Sequence, residues 1–448
     1  MTDDPTGGPG QEPGREPGRV PLPEDSMPKG GVNAPVDVAA AATPAVDPRL
    51  IVRQQGLKGY VQEFRRRVSS GELGSLPVIV ALIVIWVVFG SLNSSFLSAQ
   101  NLSNLSQQIV GTGMIALGVV FVLLLGEIDL SVGSVSGLCA AIYAVMSVTH
   151  GVNQWVALVC ALVGGAVVGL IQGVFFAKIG VPAFVVTLAG NLFWNGLMLQ
   201  ILGSQGTINL PGDDIVSKLY TTIYGAQIAA YGTAAVGVVL FLASQLLDAR
   251  RRQAAGVPFR APLDIAVRTI LLTIVAFLAA YTLNQYKGLP LALLIFLIFI
   301  VVLDFVLRRT TYGRQIFALG GNIEGARRAG INVSWTRISV FMITSTMAAV
   351  GGLFLAAQIQ SASQTSGSGN LLMNSIAAAV IGGTSLFGGR GSTWSALLGA
   401  LVIGSILSGM NIQGLSNALQ FMITGAVLLA AVVIDSLARR TQRAAGRA

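Results

Sequence analysis

The chain has 448 residues, of which 53% are hydrophobic and 10% charged, and its formal net charge is +9. Soluble domains carry about 25% charged residues, so this composition excludes an ordinary water-soluble globular protein. With 2 cysteines and 1 histidine there is no disulfide framework and no histidine cluster for metal or proton-relay chemistry.

The first 48 residues hold 10 of the 16 prolines and no apolar run. They cannot bury enough surface to offset chain entropy and are expected to form a disordered cytoplasmic tail. They also lack the hydrophobic core of a signal peptide. Residues 49–75 read as a basic amphipathic lead-in on the inner membrane surface. Residues 76–437 then hold twelve apolar runs, at about 76–96, 105–126, 132–149, 155–177, 182–202, 226–247, 265–283, 289–307, 336–358, 370–388, 393–410 and 416–437. Most approach the roughly 20 residues a helix needs to cross hydrocarbon. Backbone groups find no water there, so these runs must be helices. The expected fold is an all-α, polytopic transmembrane bundle of about 12 spans with some broken or Gly-rich helix ends, in a multi-pass protein of the cell membrane. Residues 438–448 form a basic tail.

With both termini in the cytoplasm, 26 of the 28 Lys and Arg fall on the inner side, and only Lys218 and Lys287 fall outside. This is the positive-inside pattern. The positive charge therefore reports topology and contact with anionic membrane lipids, not nucleic-acid binding. Cys139 and Cys160 lie within spans and read as small buried residues; His150 reads as interfacial.

Two places break the apolar pattern. Between spans 2 and 3 lies Gly126-Glu127-Ile128-Asp129-Leu130-Ser131-Val132-Gly133. Carboxylates near a membrane interior are costly and often functional. Glu127 and Asp129, two residues apart, project to different sides of a helix and suit no paired acid–base role. The segment has two readings: helix-end structure, with Asp129 or Ser131 capping span 3, or a direct place on a transport pathway. The second break, from Gly382 to Ser392, lacks the Lys-Ser/Thr ending and preceding strand of a phosphate-binding loop. Its glycines suit a sharp turn and a broken helix. Both breaks follow even-numbered spans, the kind of trace an internal duplication leaves.

Thr187, Asn191, Trp194 and Asn195 share one face of span 5. Amides beside an indole suit a sugar's hydroxyls and C–H face; interhelical hydrogen bonding is the other reading. The inner loop 308–335 contains Gly321 to Ile331, which reads as a short helix. Asn322 caps it, Glu324 suits its positive end, Arg327 and Arg328 suit its negative end, and Gly330 stops it. Gly325 and Ala326 form its centre. So short a helix does not persist alone in water and requires a partner surface.

Gly321–Ile331 resembles the coupling helix of ATP-binding-cassette permeases for monosaccharides, a "GGN-x-x-AA-x-x-x-GI" pattern in which Gly325 replaces the usual first alanine. Glu127 to Ser134 resembles "EIDLSVGS" of the xylose branch. Val181 to Gly190 resembles "VPSFIVTLAG", and Leu283 to Pro290 resembles "LNDYRGVP". Ile381 to Leu386 also matches, and the likeness covers about residues 75–440. The resemblance implies a homodimeric permease with two separate ATPase subunits and an extracytoplasmic sugar-binding protein. It implies that no cofactor binds this chain, since ATP and Mg belong to the ATPase, and that this chain performs no enzymatic chemistry. The implied substrate is a monosaccharide, xylose first. Coupling falls to Asn322, Glu324, Gly325, Ala326, Arg327, Arg328 and Gly330. The sugar path falls to Thr187, Asn191, Trp194 and Asn195, with Glu127 and Asp129. The alternative is an autonomous secondary sugar transporter, which would need an ion or proton site; Asp304 in span 8 joins Glu127 and Asp129 as its acidic candidates.

Overall fold

The computed structural model describes residues 76–444 apart from 258, 260 and 261. The expected tail of residues 1–48 and lead-in of 49–75 lie outside the described residues. The chain opens with α1 (Leu76–Leu92), α2 (Ala99–Leu124), α3 (Val132–Ala144), α4 (Gln154–Val174) and α5 (Ala183–Leu202). Strand β1 (Thr207–Asn209), α6 (Ile215–Thr221) and β2 (Ile223–Tyr224) lead to α7 (Gln227–Ala254) and α8 (Pro262–Asn284). Next come β3 (Leu289–Pro290), α9 (Leu291–Arg309), α10 (Thr311–Gly321), α11 (Ile323–Arg328) and α12 (Val333–Ile359). Strand β4 (Ser361–Ser363), α13 (Leu371–Ile381), α14 (Thr393–Ile412) and α15 (Asn417–Ala444) complete it.

Each of the twelve apolar runs overlaps a helix. Among the described residues nine helices are long and apolar enough to cross a membrane, while Leu76–Leu92, Leu371–Ile381 and Asn417–Ala430 are shorter. The expected span 370–388 is the clearest shortfall, because α13 stops at Ile381 and gives way to a turn with positive φ at Gly383, Gly388 and Gly389. Side-chain caps serve amides that hydrocarbon leaves without water: Ser98 accepts from Asn101 N, Asn153 from Trp155 N, Asn332 from Trp335 N and Ser392 from Trp394 N.

The core is built around α2, buried without interruption from Gly113 to Leu124. Helices α12, α13 and α14 surround it. Gly165, Gly169 and Gly173 form a stripe on α4 that faces Ser345, Phe341 and Ile338 of α12. A Cβ at Gly165 or Gly173 would lie 2.8 Å from α12 atoms, so the stripe lets the two backbones touch. Helices α7 and α8 form a hairpin with a small cluster of its own, Ala230, Ala234, Ala280, Leu283 and Leu289. Arg309 on α9 donates to Asp248 on α7 at 2.9 Å, bridging the two helices. The outer helices expose apolar side chains such as Leu192, Phe193, Leu278 and Phe305, as lipid contact requires. Antiparallel pairs β1–β4 and β2–β3 close loops at the far end of α12 from α11, about 40 Å away for 27 residues.

Candidate functional site

The cationic end is built from α10 and α11. The hydroxyl of Thr310 accepts from Gly313 N at 3.2 Å and starts α10, a helix of 11 residues. Asn322 then turns extended, with φ −156°, and its Oδ1 accepts from Gly325 N at 2.8 Å to begin α11. Glu324 in the first turn pairs with Arg327 in the last at 3.1 Å, and Gly330 at φ 79° ends the segment. Ala326 is buried; Ile323, Glu324, Gly325, Arg327 and Arg328 are exposed. Nearly the whole surface of α11 is thus uncovered.

Three chain segments meet behind it. Gly389 N donates to the Leu124 carbonyl at 2.9 Å, at the end of α2. A Cβ at Gly320, next to the end of α10, would overlap that same carbonyl oxygen. A Cβ at Gly388 would lie 2.8 Å from Gly320 O and 2.9 Å from Gly126 N. Both sequence breaks therefore touch each other and the base of the short helix. Only backbone without side chains fits at this junction.

The first break leads inward. Asp129 is buried, and its Oδ1 accepts from Ser131 N at 2.8 Å and from Ser131 Oγ at 2.6 Å. Gln172 of α4 donates to Ser131 Oγ at 2.9 Å. The expected side-chain cap on α3 is corrected: Ser131 occupies the N-cap position but makes no cap bond. Its φ of −96° and ψ of −9° are helical, not the extended geometry that aims a hydroxyl back along a helix, so the hydroxyl serves Asp129. Glu127 is half-buried and separate; burial pushes its carboxyl up, partly offset by the Arg337 charge. Arg337 lies 4.6 Å over the Phe176 ring.

Helix α5 borders this cluster. Thr187 and Trp194 are buried, and Asn191 and Asn195 are half-buried beside them. A Cβ at Gly190 would stand 2.5 Å from Gln172 Nε2 and 3.0 Å from Trp194 Nε1, so this glycine brings the amide and indole together. Trp194 Nε1 and Asp129 Oδ2 are buried without hydrogen-bond partners. Among the described residues no side-chain hydrogen bond holds Asn191 or Asn195. The sequence reading misses Gln172, whose signal is its place as a polar residue in an apolar helix. It also misses the loop 364–370, where Gly367 O and Leu372 would lie 2.6 and 3.5 Å from a Cβ at Gly133. Helices α3 and α13, each preceded by non-helical chain, thus begin side by side. Asp304 is bonded elsewhere: it pairs with Arg308 at 2.7 Å and accepts from Thr393 at 3.2 Å, fixing α9 to α14.

A bundle of apolar helices with broken helix ends, carrying an uncovered short helix at its cationic end, has the make-up of a membrane permease. Residues 101–432 match the family described as branched-chain amino acid transport system / permease component, and the chain belongs to that family. It is 37% identical over 374 residues to the xylose transport system permease protein XylH of Escherichia coli K12, covering 83% of this chain and 94% of that one. It is 34% identical over 377 residues to XylH of Haemophilus influenzae, covering 83% and 98%. The ribose import permease protein RbsC of Bacillus subtilis is 30% identical over 373 residues, covering 83% and 96%. No solved structure matches the chain.

Proposed function

We propose that this chain is the permease subunit of an ATP-binding-cassette importer that carries a monosaccharide, xylose first, into the cell. The observation that carries the reading is α11, exposed on all but Ala326 and wedged at its base against both chain breaks. A push on α11 would pass through Gly320 to the ends of α2 and α13, and from α2 into the segment that starts α3. ATP and Mg stay on a separate ATPase that docks over residues 321–331. Two copies of this chain form the path, with both termini cytoplasmic, and a binding protein delivers the sugar outside. The tails at 1–48 and 438–448 and the lead-in at 49–75 flank the permease domain, 76–437, with its coupling loop at 308–335.

The names of the relatives support xylose over ribose, since the identity to XylH is higher. The unpaired donor at Trp194 Nε1 suits the oxygen of a sugar hydroxyl. Differential binding of the closed ATPase dimer to one state of the permease supplies the coupling. Uptake of labelled xylose by vesicles holding this chain, its ATPase and its binding protein tests the reading. Xylose should be taken up in preference to ribose and only with ATP. Equal uptake of both sugars would remove the xylose assignment, and uptake without the ATPase would remove the importer.

A further inference from the structure

Below the glycine stripe the last turn of α4 continues as Phe175–Ile179, and the start of α12 lies beside it, Ser334 donating to the Ala177 carbonyl at 3.4 Å. The groove between them has a volume of about 500 Å³ and is lined by Leu170, Val174, Lys178, Ser334, Trp335 and Ile338, with Asn332 at its edge. Its lining changes along its length. Leu170, Val174 and Ile338 are apolar, whereas Lys178, Ser334 and Trp335 lie at the cationic end, a few residues after α11. Trp335 is 58% exposed and Lys178 is exposed, with no acidic partner among the described residues.

We propose that this groove is a binding site for an anionic phospholipid of the inner leaflet. The headgroup phosphate sits at Lys178 and the indole of Trp335, and one acyl chain lies along Val174, Leu170 and Ile338. Three features select this occupant. The groove opens on the lipid-facing side of an apolar helix, since Val163, Val167, Leu170 and Ile171 of α4 are exposed. Tryptophan and lysine together are the side chains that anchor at the headgroup level. The unpaired charge complements an anionic headgroup and not a zwitterionic one. A lipid held here would brace the first turn of α12, the helix that follows α11.

The test uses the full chain in nanodiscs of phosphatidylcholine containing equal mole fractions of brominated phosphatidylglycerol or brominated phosphatidylcholine. The Trp335 contribution to fluorescence is the difference between the wild type and Trp335→Phe. Brominated phosphatidylglycerol should quench it more strongly. Lys178→Gln should lower the preference about fivefold, the worth of one cation at a membrane surface. Val174→Phe should fill the apolar floor and reduce quenching without changing charge. Arg314→Gln, which removes another exposed cation, should leave the preference unchanged. Equal quenching by the two lipids would overturn the proposal. So would equal effects of Lys178→Gln and Arg314→Gln, which would reduce it to general surface charge. A Trp335 signal insensitive to either lipid would mean that protein covers the groove. Relief of quenching by soluble glycerol phosphate would assign Lys178 to a free phosphate instead.

Discussion

Asp129 accepts both the amide and the hydroxyl of Ser131, so one oxygen of a buried carboxylate holds the corner from which α3 starts. Asp129→Asn keeps that acceptor and should leave assembly and uptake nearly intact. Asp129→Leu leaves the Ser131 amide unpaired, at about 1–3 kcal/mol for a buried group, while the Ser131 hydroxyl can still donate to Gln172. It should lower the thermal midpoint of the purified chain by several degrees. If Asp129→Asn abolishes transport as fully as Asp129→Leu, the charge itself matters and the corner role is wrong. Asn191 makes a different case, because among the described residues no hydrogen bond uses its amide. Asn191→Leu should reduce sugar uptake while the complex with the ATPase forms normally; a loss of uptake that only tracks lost complex would return Asn191 to helix packing. At this scale the sequence reveals residue types but not their partners. The face of Thr187, Asn191, Trp194 and Asn195 follows from helical spacing. Gln172 does not, because its partner Ser131 is 41 residues away and no local pattern joins them.

Among the elements, α11 is readable from sequence because its signals are local: Asn322 at the start, opposite charges at the two ends, Gly330 at the stop. Helix α10 before it is not, because Thr311–Gly321 carries three glycines and lies in a loop set aside by its charge. The segment 364–370 escapes for a related reason, since its serines and glycines read as an ordinary connection although it reaches the first turn of α3. The exposed face of α11 predicts that Glu324→Arg will leave membrane insertion and thermal stability within about 1 kcal/mol of normal. Sugar-stimulated ATPase activity should fall several-fold; unchanged stimulation would remove α11 from the docking surface. Gly320→Ala should behave otherwise. Its methyl meets the Leu124 carbonyl, backbone that cannot swing aside, so α10 must shift. Stimulation should be lost even though residue 320 lies outside α11. A fully coupled Gly320→Ala variant would show that the glycine junction transmits nothing.

For the whole molecule, charge distribution and hydrophobic run length carry the architecture, since hydrocarbon permits few alternatives to helices. Run length says less about where a helix breaks inside a continuous apolar stretch, as the early end of α13 shows. Of the three acidic candidates for ion coupling, Asp304 is paired with Arg308 and Asp129 is bonded to Ser131, which leaves Glu127. On the proposed reading, energy enters through α11 from outside the chain. Vesicles containing this permease, its ATPase and its binding protein, with ATP maintained and the proton gradient collapsed, measure this directly. Sugar uptake should continue at its full rate and stop when ATP is withdrawn. Uptake that follows the proton gradient and persists without ATP would contradict the account.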